Sequence, residues 1–163
     1  MRKVSEKVQL DAAEKLVSSL NKMDGVESSV DVRTNGTQNR PIVNASVSPE
    51  NWGKVAKQLK EKYLVDHCSM ITGIHWPESS DKKWEVIYHF LRTGIRDPVI
   101  EDGLVIPNIV DFSKVKGKDV PLEIQISIKI GDTRTPSVPS VQNLWVGADW
   151  NEKETWDLVG IDF

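Results

Sequence analysis

The sequence predicts an α+β fold: an antiparallel sheet of about five strands with helices packed on one face. Three observations predict it. Helical and strand periodicities follow in the order helix, hairpin, helix, hairpin, strand, helix, an order that places helices on one side of a mostly antiparallel sheet. The alternation is plainest in 122–130, where Leu122, Ile124, Ile126, Ile128 and Ile130 point one way and Glu123, Gln125, Ser127 and Lys129 the other. The chain has 163 residues, enough to bury roughly 70% of its unfolded surface around a single core.

Val4, Val8, Ala12, Leu16 and Leu20, joined by Ala13 and Val17, recur at helical spacing and predict a helix over about 5–22, ending near Asp24-Gly25. Residues 28–34 and 41–47 read as short strands on either side of the turn-rich Asn35-Gly36-Thr37-Gln38-Asn39. Ser48-Pro49-Glu50 then opens a second helix, with an N-cap, a proline at the first helical position and an acid on the positive end of the dipole. Trp52, Val55, Ala56, Leu59 and Tyr63 form its apolar stripe. Two longer strands, about 65–75 and 83–92, are joined through Pro77-Glu78-Ser79-Ser80-Asp81. In the second, Trp84, Val86, Tyr88 and Phe90 alternate onto one face. The long connection 93–121 is punctuated by Pro98, Pro107 and Pro121 and by Gly94, Gly103 and Gly117. A small hairpin is expected in it around Glu101-Asp102-Gly103, and the whole segment is expected to lie outside the main core.

Composition excludes several classes of function. Hydrophobic residues make up 39% and charged residues 28%, as in an ordinary globular domain. A formal net charge of −3 gives no electrostatic footprint for nucleic acid or an anionic membrane. No apolar run approaches the ~20 residues of a membrane-spanning helix. The opening MRKVSEKVQL lacks the apolar core of a signal peptide, so the expected location is inside the cell. The one cysteine, Cys68, cannot by itself form a disulfide or carry a Cys-ligated iron–sulfur cluster. No glycine-rich nucleotide motif, phosphate loop or Cys-x-x-Cys occurs, and no cofactor is expected in this chain.

The stretch 135–163, TPSVPSVQNLWVGADWNEKETWDLVGIDF, holds Trp145, Trp150 and Trp156, three of the six tryptophans. A Pro-rich arm (Pro136, Pro139) leads to a predicted helix over 150–159, with Asp149 as N-cap, Glu152 closing a capping box and Gly160 as the left-handed stop. Thr155, Trp156, Val159 and Glu152 share one side of it, and Trp150 stands on the far side among Glu154 and Asp157. Apolar groups spread so widely imply a helix sunk in its own core or shared with a partner. The chain therefore divides into an α+β body, 1–134, with the inserted loop 93–121, and the arm and C-terminal docking helix, 135–163, of the same domain.

This stretch resembles the thirty-kilodalton subunit of respiratory complex I and related complexes. The family pattern is P-S-V, a Trp and a small residue, an aromatic, an acid-basic-acid triplet, then Asp-Leu-x-Gly-Ile-x-Phe. Ser137 or Ser140, Trp145, Ala148, Trp150, Glu152-Lys153-Glu154, Asp157-Leu158 and Gly160-Ile161 fall on it in order. Two departures stand out. The family usually continues past this Phe with Gly-His-Pro and Leu-Arg-Arg, whereas this sequence ends at Phe163, and the link 93–121 is usually short.

The resemblance implies a non-catalytic structural subunit of an NADH:quinone oxidoreductase, peripheral on the cytoplasmic face of the cell membrane and touching the membrane only through the complex. Its partners would be the large, forty-nine-kilodalton-type quinone-site subunit and the adjacent cluster-bearing subunit. Trp145, Trp150, Glu152, Lys153, Glu154, Trp156, Asp157 and Phe163 would form the interface, with Trp156 and Glu152 turned toward the partner and Trp150 toward the sheet. The equivalent subunit of a membrane-bound [NiFe] hydrogenase or of a reduced-deazaflavin dehydrogenase shares the same pattern. A free-standing binding domain is a further alternative.

Other constellations are weaker. His67 and His75 lie about 26 Å apart along one strand at ~3.3 Å per residue and cannot share an ion. His89, on the next strand, is expected opposite Ile71, with His75 opposite Glu85 as a surface pair. Cys68 has no neighbouring base and reads as a core thiol. Glu152 and Glu154 diverge by ~200° on a helix, so they cannot serve one substrate as acid and base. Glu152 is left with two roles, the capping-box carboxylate or, as the resemblance implies, the partner of an arginine on another subunit.

Overall fold

The computed structural model describes residues 4–95, 98–106 and 110–163. Helix α1 (Glu6–Leu20) starts at Ser5, whose hydroxyl accepts from the Val8 amide at 3.3 Å. Strands β1 (Val26–Asn35) and β2 (Gln38–Val47) form a tight hairpin, with Asn35 opposite Gln38. Helix α2 (Pro49–Glu61) begins with its proline as expected. Strands β3 (His67–His75) and β4 (Trp84–Arg92) make the second hairpin. Among the described residues the inserted β5 (Val99–Glu101) and β6 (Leu104–Ile106) pair only with each other. Strand β7 (Leu122–Ile130) and helix α3 (Ala148–Val159) complete the chain.

The main sheet runs β1-β2-β7-β4-β3. All neighbours are antiparallel except β2 and β7, which are parallel, with Val43 beside Ile124 and Ala45 beside Ile126. The expected sheet of antiparallel strands is thus a mixed one. The reason is topological: β7 enters between the two hairpins, and its antiparallel pairing with β4 leaves it parallel to β2.

Cross-strand rows show which face is covered. Val43, Ile124, Phe90 and Cys68 form one row, and Ala45, Ile126, Tyr88 and Ile71 the next, all buried. Ala13, Leu16 and Leu20 of α1 and Trp52, Val55, Ala56 and Leu59 of α2 join the same core. Trp52 is fully enclosed, with its ring 4.6 Å from Tyr88 and 6.1 Å from Phe90. The α+β prediction with helices on one face holds.

Two local expectations are corrected. The β3–β4 hairpin is offset by one residue: His75 pairs with Trp84 and stacks on it at 4.1 Å, and His89 pairs with Met70. A one-residue slip exchanges the two faces of a strand, and this register keeps Ile71 opposite Tyr88 in the core. Glu85 therefore stands on the other face from His75, buried, and accepts from Trp76 Nε1 at 2.9 Å and Ser127 Oγ at 2.6 Å.

The segment 93–121 is also only partly an embellishment. Ile100, Leu104, Val105 and Ile106 of the small hairpin are exposed, but Val120 is buried, and the buried Arg92 holds this end of the segment by donating from Nε to the Val120 carbonyl at 2.8 Å. Pro107 lies outside the described residues.

The edge strand β3 carries α3, and Gly73 is where they meet. A Cβ on Gly73 would stand 2.5 Å from Thr155 Cγ2 and 3.3 Å from Ile161 Cδ1 and Val159 Cγ2. A glycine inside a strand often marks such a close approach. Gly73→Ala should push the helix outward and lower the unfolding free energy by about 1–3 kcal/mol, as measured by urea denaturation. Unchanged stability would mean that α3 is loosely seated.

Candidate functional site

The arm 135–147 joins the core through Val138, Val141 and Trp145, all buried. Trp145, 4% exposed, lies 4.5 Å from the Phe90 ring and donates from Nε1 to the Val65 carbonyl at 3.0 Å. The start of the arm is tied to the end of the chain: the Val138 amide donates to the Asp162 carbonyl at 2.8 Å, and the Asp162 amide to the Pro136 carbonyl at 2.9 Å.

Helix α3 starts two residues earlier than the sequence suggests, with Gly147 at the N-cap and no side-chain cap. Its first turn is instead a continuation of the arm, in which the Ala148 amide donates to the Trp145 carbonyl at 2.8 Å. Asp149 then falls inside the helix and pairs with Lys153 at 2.7 Å, an exposed i,i+4 contact of little energetic weight. Gly160 ends the helix at φ +83° as expected.

The capping-box role of Glu152 is corrected by this shift. Glu152 is 5% exposed and faces inward. One carboxylate oxygen accepts from Ser140 Oγ at 2.6 Å and the other from the Val141 amide at 2.7 Å. Both hydrogen bonds go to the arm, and the carboxylate does not reach the outer surface as the partner-arginine role requires.

Of the other residues expected at the interface, Trp145 is inside the core and Phe163 is half-buried against it. Lys153, Glu154, Asp157, Trp150 (76% exposed) and Trp156 (57% exposed) face outward. The expected division of the two tryptophans between sheet and surface is therefore corrected. Ala148, Glu152 and Thr155 are buried, Val159 is partly so, and both indoles stay outside. The close approach over Gly73 seats Thr155 against the sheet and leaves no room there for an indole. Leu158 (76% exposed) and Val146 (89% exposed) extend the apolar surface. Leu158 falls on the family pattern but was not among the residues expected at the interface.

The outer face thus combines two indoles and two aliphatic groups with Glu154 and Asp157, neither of which forms an ion pair among the described residues. Several large apolar side chains exposed on one helix mark it as a candidate contact surface. Inside, burial raises the Cys68 thiol to about 11, with the Glu152 charge adding to the shift. Burial also raises the Tyr88 hydroxyl well above its ordinary value. Neither is poised as a nucleophile or base at neutral pH. Among the described residues no three His, Cys, Asp or Glu side chains converge as a metal site, and no helix is long and apolar enough to cross a membrane.

Fold and site together define a class: a two-layer α+β domain that presents an aromatic helix to the outside. Residues 45–163 match the family model described as respiratory-chain NADH dehydrogenase, 30 Kd subunit. The chain belongs to that family. It is 29% identical over 128 residues to the NADH-quinone oxidoreductase C-subunit of Hydrogenovibrio crunogenus, covering 74% of this chain and 57% of the relative. It is 25% identical over 112 residues to the protein of the same description from Francisella tularensis subsp. tularensis, covering 67% and 52%. The chain spans about half the length of these relatives. A solved structure of Nqo5, as its trypsin-resistant fragment, superposes over 95% of both chains with a TM-score of 0.55 and 16% identity, a likeness of fold.

Two outcomes follow from the placement. Trp145→Ala should cost ~3–5 kcal/mol of stability and Trp150→Ala no more than about 0.5 kcal/mol, scored by denaturant unfolding of the full chain. Comparable losses would contradict the burial pattern. Burial also holds the Glu152 carboxyl above its ordinary value, against the opposing bonds from Ser140 and Val141 and with a small addition from Asp149. A folded-state pKa above the unfolded one gives stability that is complete below the ordinary carboxylate value and is lost as pH rises through the raised one. Wild type should therefore lose stability relative to Glu152→Gln across that window, and parallel pH profiles would show that the carboxyl is not shifted.

Proposed function

We propose that the chain is a cofactor-free structural subunit of a complex I-like NADH:quinone oxidoreductase. It docks through the outer face of α3 on the large quinone-site subunit, next to a cluster-bearing subunit, and lies peripherally on the cytoplasmic face of the membrane. The observation that carries this reading is the coincidence of the family match with the exposed tryptophan face. Residues 45–163 include all of α3, and the relatives are described as a subunit of NADH-quinone oxidoreductase.

The mechanism is mechanical. A single cysteine cannot hold a Cys-ligated cluster alone, and Cys68 and Tyr88 in the core stay protonated at neutral pH. What the fold offers is a rigid platform: a helix fixed to a sheet edge on one side, with Trp150, Trp156 and Leu158 free on the other. Tryptophans at the centre of an interface are the usual hot spots. Glu154 and Asp157 beside Trp150 fit a partner surface that sets basic groups around an apolar cleft.

The test is co-purification of the tagged full chain from its native membrane. The wild type should bring down a large subunit with its electron-transfer partners. Trp150→Ala combined with Trp156→Ala should leave folding intact and weaken retention by tenfold or more, a loss of at least ~1.4 kcal/mol. The purified chain should show no flavin absorbance, no iron and no NADH-dependent reductase activity. Retention unaffected by the double substitution would refute docking through α3. A hydrogenase or a deazaflavin-oxidising enzyme among the captured proteins would identify a different machine with the same subunit.

A further inference from the structure

We infer that Glu152 is a positioning residue: by binding Ser140 and the Val141 amide it locks the arm to α3, so that arm and helix meet a partner as one rigid module. This builds on the docking role proposed above, but the lock itself is a property of the chain alone.

The geometry is specific. Glu152 projects from the second turn of α3 into the core, and each oxygen of its carboxylate has one donor on the arm, at 2.6 and 2.7 Å. Hydrogen bonds to a buried carboxylate are stronger than neutral ones, and a charge is kept buried at a cost unless its partners give something in return. Nothing on the helix itself needs this residue, because α3 starts without a side-chain cap. The arm residue it holds, Val141, is itself buried, as is Ala148 one turn back in the helix. The arm is already tied to Asp162 at its start and to Val65 through Trp145. Glu152 supplies the tie between those two points.

The consequence concerns the outer face. Val146 lies on the arm and Trp150 on α3, one helical turn apart, and both are exposed. Their relative placement depends on the turn through Gly147, and therefore on how firmly 140–147 is held to the helix. An unlocked arm would leave the tryptophans on the helix but blur the surface they share with the arm, so a partner would have to order it on binding. The titratable groups facing the carboxylate are Asp149 on its own helix, Cys68 on β3 and Tyr88 on β4. No lysine or arginine competes with the arm for it among the described ion pairs.

The test compares Glu152→Ala, Glu152→Gln and Ser140→Ala in the full chain, by amide hydrogen exchange on the free protein and by retention in the complex. In Glu152→Ala, the amides of 138–148 and the first two turns of α3 should exchange tenfold or more faster, with β4 and β7 unchanged, and retention should fall. Glu152→Gln, which keeps one acceptor, should recover most of both, and Ser140→Ala should lie between. If Glu152→Ala does not fold, the graded order of the other two variants still decides. Arm and helix amides that exchange as in wild type in all three variants would overturn the lock. Faster exchange with unchanged retention would overturn its positioning role. If Trp150→Ala and Trp156→Ala also leave retention unchanged, the docking reading has failed instead, and the exchange data still judge the lock.

Discussion

The close seating of α3 on the edge strand is the constraint on which the rest of the C-terminal architecture depends. Thr155 lies where any side chain on Gly73 would have to stand. A helix packed that tightly can bury only small or polar-tethered groups, which is why Ala148, Thr155 and Glu152 face the sheet. The bulky residues are then displaced to the outside. The aromatic outer surface is thus a geometric result of the inner contact.

Much of the fold can be read from local periodicity. The three α-helices, the five strands of the main sheet and the small hairpin at Glu101-Asp102-Gly103 all appear close to where alternation and turn residues place them, with α3 beginning two residues early. What local patterns do not encode is which strands become neighbours. β7 has an alternation compatible with any central position, and only the whole assembly makes it parallel to β2. The hairpin register was equally out of reach, because the choice between His75 opposite Glu85 and His75 opposite Trp84 is made by core packing of Ile71 against Tyr88.

The candidate site was legible in part for the same reason. The clustering of Trp145, Trp150 and Trp156 marked the right segment. The direction of each ring was not given by a helical wheel, since the wheel shows angles between residues and not where the sheet lies. Glu152 illustrates the point. A carboxylate three residues after an aspartate fits a capping box, but the helix begins at Ala148 and the carboxylate turns to Ser140 and Val141. Its burial beside Cys68 and Tyr88 puts three ionisable groups in one interior region, where desolvation raises the pKa of each.

The position of β7 has a kinetic meaning. It is the last strand in the sequence and the central strand of the sheet, flanked by β2 on one side and β4 on the other. Before it arrives, the chain consists of two hairpins with no shared hydrogen bonds, each with an inner edge open to solvent. Joining them requires closing the long span from β2 to β7, an entropic cost met before the reward of the central contacts. During synthesis, β2 and β4 would remain unsatisfied templates until residues 122–130 leave the ribosome. Unpaired edges of that kind invite pairing with other chains. The order of elements leaves the middle of the sheet to the last strand synthesised.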